Sequence, residues 1–372
     1  MKLSVAVVRI IVGVLFIFSG IVKAIDPLGL NYKMQEFFEV WASDKYAVSL
    51  MNWMHSHSFL ITVLMITLEV VLGAALLVGW RKKTVLRFLL LLILFFTFLT
   101  SYVLFSGKIR SCGCFGDCIP LTPIQTFIKD IILLGMIIFL ILKQQFIEPL
   151  FKELLPMAIV FLSVIAVGFI QMYVIDHLPL IDCLPYKVGN NILELRKMPA
   201  DAIQDKFTYL FIYEKENVTK EFTTSNLPDS TWKFVDRKQT LVEKGKNNVP
   251  LINDFALKDS LGNDSTEAIL SLPASYLLFL KEMDPDVDRW LSVFADVVKK
   301  AKQQNIPLYI ITADSKKVLN FFNKSNSYNL PVLICDVTAI KTAARANPTL
   351  FVMKGAVVQH KYSWADMDAV LK

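Results

Sequence analysis

The chain has 372 residues, of which 54% are hydrophobic and 19% charged, and its formal net charge is +6. The apolar excess ends near residue 175: the part before it carries 14 Lys/Arg and 9 Asp/Glu, the part after it 25 and 24. This excludes a single soluble domain. The near-neutral second half, with no basic stripe interleaved with aromatics, excludes nucleic-acid binding.

Five apolar stretches follow one another at residues 3–22, 59–80, 85–105, 124–142 and 154–175. Each is about as long as the roughly 20 helical residues that cross a ~30 Å hydrocarbon core. The first has the look of a signal peptide, but Arg9 interrupts it and no small-residue cleavage site follows, so it reads as a retained span. Arg81, Lys82, Lys83 and Arg87 crowd the loop between the second and third stretches and mark it as cytoplasmic. The N-terminus is then inside. The loops at 23–58 and 106–123, and everything beyond residue 175, lie outside, which in a bacterial inner membrane is the periplasm.

Residues 177–250 are turn-rich. FTYLFIYE at 207–214 reads as a strand that returns over 219–224 as a hairpin, with short strands at 232–235 and 240–242. From 251 the pattern alternates. Strands are expected at 276–280, 308–313 and 332–335, helices at 288–304, 316–324 and 339–346. A hairpin over 350–353 and 357–360 and a helix at 366–371 complete an α/β layer fold. The expected units are 1–145, a four-helix membrane domain; 146–176, a fifth span; 177–250, a β-containing linker; and 251–372, the α/β domain.

The segment SCGCFGDCIP puts Cys112, Cys114 and Cys118 in one outer loop between two spans. Three chemistries are open to them: a structural disulfide, thiol–disulfide exchange, or metal binding with a fourth ligand from His55 or His57. Gly113 and Gly116 let the backbone turn tightly around the sulfurs. Glu69 lies midway along the second span, where a carboxylate needs a partner or a wet cavity. Arg9, or Lys129 with Asp130, are the candidates. Such a carboxylate serves either as a proton or quinone site or as an interhelical pin. The Lys23–Asp26–Pro27 turn is read as a cap on the first span. Cys183 and Cys335 read as lone, inert cysteines, and His177 and His360 as surface residues. Phosphate-loop, zinc-protease, c-haem and hydrolase motifs are absent from the sequence.

FSGIVKAIDP at 18–27, LEVVLG at 68–73 and SCGCFGDCIPLTPIQTFIKD at 111–130 resemble the DoxX-like, MauE-type redox-associated membrane proteins, over about residues 3–142. The resemblance implies a four-helix unit in a redox setting, with quinone as a possible cofactor. Relatives of this kind support maturation of disulfide-containing periplasmic enzymes or serve in quinone-linked thiosulfate oxidation. NPTLFVMKGAVV at 347–358 resembles the cis-proline segment of thioredoxin, with Pro348 as that proline and Asn347 beside it on a partner-binding face. A thioredoxin carries Cys-x-x-Cys after the strand at 276–280, and this chain has KEMDPDVDRW there. The whole layout resembles Bacteroidetes-type envelope proteins that add a fifth span and a thioredoxin-like domain.

Two functions follow. In one, the outer-loop cysteines exchange thiols with a periplasmic partner or pass electrons towards quinone. In the other, the chain is a non-catalytic scaffold or complex subunit in the lipid bilayer, and its thioredoxin-like domain is an interaction module.

Overall fold

The computed structural model describes residues 1–109, 112–113, 115–151, 154–216, 218–243, 245–283 and 286–372. The five apolar stretches form long helices: α1 (Lys2–Ile25), α4 (Ser58–Val78), α5 (Lys82–Ser106), α6 (Pro123–Leu142) and α7 (Leu154–Asp176). Each is long and apolar enough to cross a membrane. The loop expected at 23–58 instead holds two further helices, α2 (Pro27–Ser43) and α3 (Val48–Ser56). Asp26 caps α2, its side chain accepting from the Gly29 amide, with Pro27 at the first helical position. The turn after the first span therefore starts a new helix rather than merely closing the old one.

Helices α1 and α4 cross at short range because glycines meet there. A Cβ on Gly73 would lie 2.8 Å from the Gly13 carbonyl oxygen, and one on Gly20 would lie 2.5 Å from a Val70 methyl. In a membrane, where apolar side chains gain little by leaving lipid, such close backbone approach is what packing rests on. Helix α6 opens with a capping box between Thr122 and Gln125.

The soluble part has two sheets. After the short α8 (Ile192–Leu195), β1 (Lys206–Lys215) pairs antiparallel with β2 (Val218–Thr223) and with β3 (Lys233–Glu243). The two short strands expected at 232–242 are one long strand, bent by a register shift opposite Ile212 and Tyr213.

The second sheet runs in the order β6-β5-β4-β7-β8. Its strands are β4 (Ser275–Leu280), β5 (Leu308–Thr312), β6 (Val332–Ile334), β7 (Thr349–Lys354) and β8 (Val357–Ser363). β4, β5 and β6 are parallel, and β7 and β8 return antiparallel. All six residues of β4 are buried, as a central strand covered on both faces requires. The intervening helices are α9 (Thr266–Leu270), α10 (Asp288–Gln303), α11 (Ser315–Leu319) and α12 (Val337–Ala343). α12 stops short of the expected end at 346, which leaves Ala344 extended and Arg345 in the bend before the cis Asn347–Pro348 peptide. One face of the sheet packs on Trp290, Phe294 and Phe322, the other on Phe255, Ile340 and Tyr186. The architecture is a helical membrane domain followed by an α/β domain, as expected.

Candidate functional site

Lys23 sits one helical turn beyond Ser19 on α1, so both face α4. Lys23 Nζ lies 2.7 Å from each oxygen of Glu69, and Ser19 Oγ donates to the same carboxylate at 2.6 Å. The two ionic side chains are only 1% and 4% exposed. Nζ also lies 4.6 Å from the Phe96 ring centre. The partner of Glu69 is therefore Lys23, which the sequence reading had assigned to a cap.

Arg9 is elsewhere. It donates to the Leu76, Leu77 and Glu148 carbonyl oxygens and so caps the C-terminal end of α4. Lys129 Nζ lies 2.9 Å from Asp130 Oδ1, off the angle of a hydrogen bond, and Thr100 donates to the other oxygen at 3.1 Å. The Glu69 carboxylate is instead taken by Lys23 and Ser19, while Lys129 forms its ion pair with the neighbouring Asp130.

Ser19, Lys23, Glu69, Lys129 and Asp130 line one cavity of about 20 Å3, with Phe115 of the cysteine loop over it. That is room for about one water. A quinone ring does not fit there. Among the described residues, no three His, Cys, Asp or Glu side chains gather as metal ligands. His55 turns to Glu39, and His57 stacks on Trp53.

In the cysteine loop, Cys112 is buried against a second cavity of about 130 Å3, shared with Thr100, Phe115 and Pro123. Cys114 lies outside the described residues. Cys118 is bonded to Cys183, across 65 residues of sequence. Cys183 is thus not a lone cysteine, and Cys118 does not take its partner from within its loop. The physical reason is the path of the chain. The segment leaving α7 passes over the loop, so Pro179 and Ile181 share a crevice with Val22, Ile25 and both sulfur-bearing residues. Cys118 itself is exposed and Cys183 half-buried. Cys335 is buried in the soluble core, and burial pushes its thiol up to about 11. His177, read as a surface residue, is half-buried between Tyr173 and Asp366.

Each cysteine of the bond follows an aspartate, and each aspartate is held by a buried cation of the soluble domain. Arg345, 5% exposed, forks to Asp26 and Asp117, both at 2.8 Å. Lys361 Nζ lies 2.7 Å from Asp182. The soluble domain thereby rests on the outer corner of α1–α2 and on the cysteine loop.

Lys281 directly follows β4, where a thioredoxin would begin its redox motif. Its amide donates to Asn347 Oδ1 at 2.9 Å, and Asn347 Nδ2 donates to the Glu282 carbonyl. Its ammonium donates to the Arg345 carbonyl and to Tyr32 Oη of α2. Asn347 thus locks the strand end to the cis-Pro348 turn, while Lys281, Lys341 and Arg345 surround the Tyr32 ring.

Burial, and then the nearby Arg345, depress the Lys281 pKa from 10.5 to about 7. Burial raises Tyr32 to about 12. Between pH 7 and 10 the undocked lysine therefore holds more proton than the docked one. Docking must strengthen as pH rises through this window, by at most roughly 1.4 kcal/mol per unit. Above pH 10 an undocked Tyr32 ionises first and reverses the trend. Tryptic cleavage at the domain junction, followed against pH, should show slower cutting from pH 7 to 9 once intrinsic trypsin activity is divided out. Lys281→Met should flatten the profile.

The motifs that define the membrane part now have places in the structure. Ser19, Gly20 and Lys23 meet Glu69 and Val70, while Asp26 and Asp117 meet Arg345. Residues 1–143 match the family described as methylamine utilisation protein MauE. The membrane part of the chain is a MauE-type domain. The chain is also 30% identical over 139 residues to protein TlpB of Flavobacterium psychrophilum, a match covering 36% of this chain and 35% of that relative. The match thus spans about a third of the curated relative's length. Residues 207–244, which hold most of the three-stranded sheet, match a domain of unknown function (DUF8463). No solved structure matches the chain. The membrane part is thus of MauE type, and the α/β part that follows it is thioredoxin-like.

The sequence reading missed Lys23, Tyr32, Lys281, Arg345 and Lys361. A signal was available for two sets of contacts. A lysine four residues after a serine in an apolar helix is as costly as Glu69 and asks for the same explanation. The repeated Asp-Cys at 117–118 and 182–183 hinted at a matched pair.

Proposed function

We propose that this protein exchanges thiols and disulfides at the outer face of a bacterial inner membrane, with Cys118–Cys183 as the exchanging bond. The observation that carries the reading is that Cys118 is exposed within a disulfide. Bonds that solvent and partner thiols can reach are the labile ones. The arginine and lysine cluster at 81–87 supports the orientation, since Lys82 and Lys2 contact Ile147 and Glu148 at the end opposite the soluble domain.

A thiolate of a periplasmic dithiol protein attacks Cys118 Sγ, forms a mixed disulfide there, and releases Cys183 as a thiol. The partner's second thiol then attacks its own mixed-disulfide sulfur and releases the Cys118 thiol. Two electrons and two protons enter the chain, and the partner leaves oxidised. Cys112 and Cys114, close to Cys118 in sequence, are the candidates for later exchange.

A second reading is favoured by Lys281. With that residue at the strand end and its amide bonded to Asn347, the thioredoxin-like domain lacks its own dithiol and acts as a module that holds the loop. Non-reducing electrophoresis of acid-quenched cells separates the two. Cys183→Ser should give a reductant-sensitive adduct through Cys118, and the Cys118→Ser/Cys183→Ser double variant should not. If single Ser variants at Cys112, Cys118 and Cys183 give no adduct and assemble normally, the scaffold reading replaces exchange.

A further inference from the structure

The disulfide does more than join two segments. Its two halves are the points at which the membrane loop and the junction after α7 are gripped by the soluble domain. Asp117 and Asp182 stand immediately before Cys118 and Cys183, and Arg345 and Lys361 hold them at 2.8 and 2.7 Å. Arg345 and Lys361 side chains are 5% and 3% exposed, so both cations are committed to this contact. Two residues after Arg345 come Asn347 and cis-Pro348, and Asn347 is bonded to the backbone at Lys281 and Glu282. Opposite lies α2, whose Tyr32 takes the Lys281 ammonium.

We infer that Cys118–Cys183 is a redox latch: oxidised, it keeps the Lys281–Arg345–Asn347 face of the soluble domain closed on α2 and the cysteine loop, and reduced, it lets that face open. The inference goes beyond the exchange reading, because it concerns what the bond controls rather than which protein reduces it.

The physical argument is one of effective concentration. The bond fixes Asp117 and Asp182 side by side, so Arg345 and Lys361 meet both carboxylates already assembled. Once the bond is cut, the two aspartates belong to separate segments, and each must be ordered on its own. What remains of the contact is polar. Asp117 is 45% exposed, so its pair with Arg345 is screened by solvent. Lys281 is held against Tyr32 at a cost in burial. Coupling is reciprocal: a bond that favours docking is itself favoured by docking, so a ligand that takes the open face would also promote reduction.

The latch step consumes one dithiol. The dithiol becomes a disulfide, the Cys118–Cys183 bond breaks, and its two electrons and two protons leave both cysteines as thiols. In vivo the reductant belongs to the class of dithiol proteins; in the test it is dithiothreitol.

Hydrogen–deuterium exchange on the full-length protein in detergent reads the latch directly. Oxidised and dithiothreitol-reduced samples are compared, with alkylation mass spectrometry to establish that the bond is cut. The expected result is exchange faster by about tenfold or more at residues 27–34, 281–283 and 345–347, reversed on reoxidation. The core strands β4 and β5 should stay as protected as before. Cys118→Ser/Cys183→Ser should match the reduced protein without any reductant. Unchanged exchange at the three segments with the bond quantitatively cut overturns the latch. Loss of protection throughout β4 and β5 overturns it too, since the bond would then hold the fold and not a hinge. Failure to find a trapped partner in cells leaves this result unaffected, so the two readings fail separately.

Discussion

Replacing Lys23 by methionine is expected to destabilise the membrane domain by about 3–5 kcal/mol, the usual cost of stripping a buried charge of its partner. Glu69 would keep Ser19 as a donor but lose the ammonium at 2.7 Å from both oxygens. Glu69→Gln should cost less, because the amide can still accept from Lys23 and Ser19. The double variant Lys23→Met/Glu69→Leu removes both charges and should recover most of the loss. Thermal unfolding of the protein in detergent, followed by size exclusion, measures the series. A double variant as unstable as either single one would show that the pair is not the source of the cost. A double variant that folds yet no longer traps a partner would give the pair a role in the chemistry.

Arg345→Gln is expected to weaken docking of the soluble domain by about 3 kcal/mol, a discount on a fully buried pair because Asp117 is half in water. Asp26 and Asp117 would face each other without the guanidinium between them. Arg345→Lys should recover only part, since an ammonium cannot fork to two carboxylates in a fixed plane. Adding Asp26→Asn and Asp117→Asn to Arg345→Gln should restore docking by removing the repulsion. The readout is tryptic cleavage after the exposed Lys187, in the segment that joins the two parts. About a hundredfold faster cutting corresponds to 3 kcal/mol. Cutting at the unaltered rate would mean that the bond and Lys361 suffice.

What could be read in the sequence follows the range of the forces involved. Span length and strand periodicity are local, so the five membrane helices and the β–α alternation after 251 were legible. So was the cis-proline segment at 347–358, because a thioredoxin-like order of elements fixes its place. Helices α2 and α3 were not, since Trp41, Trp53 and the charges among them break the apolar run that identifies a span. The candidate site was half legible. Glu69 announced itself as a carboxylate in an apolar helix, but its partner depended on how α1 crosses α4, and that is set by Gly13, Gly20 and Gly73. The Cys118–Cys183 pairing depended on where the chain runs after α7, which spacing within SCGCFGDCIP does not encode. Arg345 is the plainest case. Its near-sequence partner is the Lys341 carbonyl, and the two carboxylates that its charge answers lie 319 and 228 residues away.

The most direct measurement is a disulfide map of the protein in native membranes. Membranes are alkylated under acid quench, digested without reductant, and analysed by mass spectrometry before and after brief exposure to dithiothreitol. A peptide joining Cys118 to Cys183 is predicted in the untreated sample, and both cysteines are predicted to become alkylated after mild reduction while Cys335 stays protected in the core. Cys118 joined instead to Cys112 or Cys114, or Cys183 alkylated without any reductant, would contradict the account.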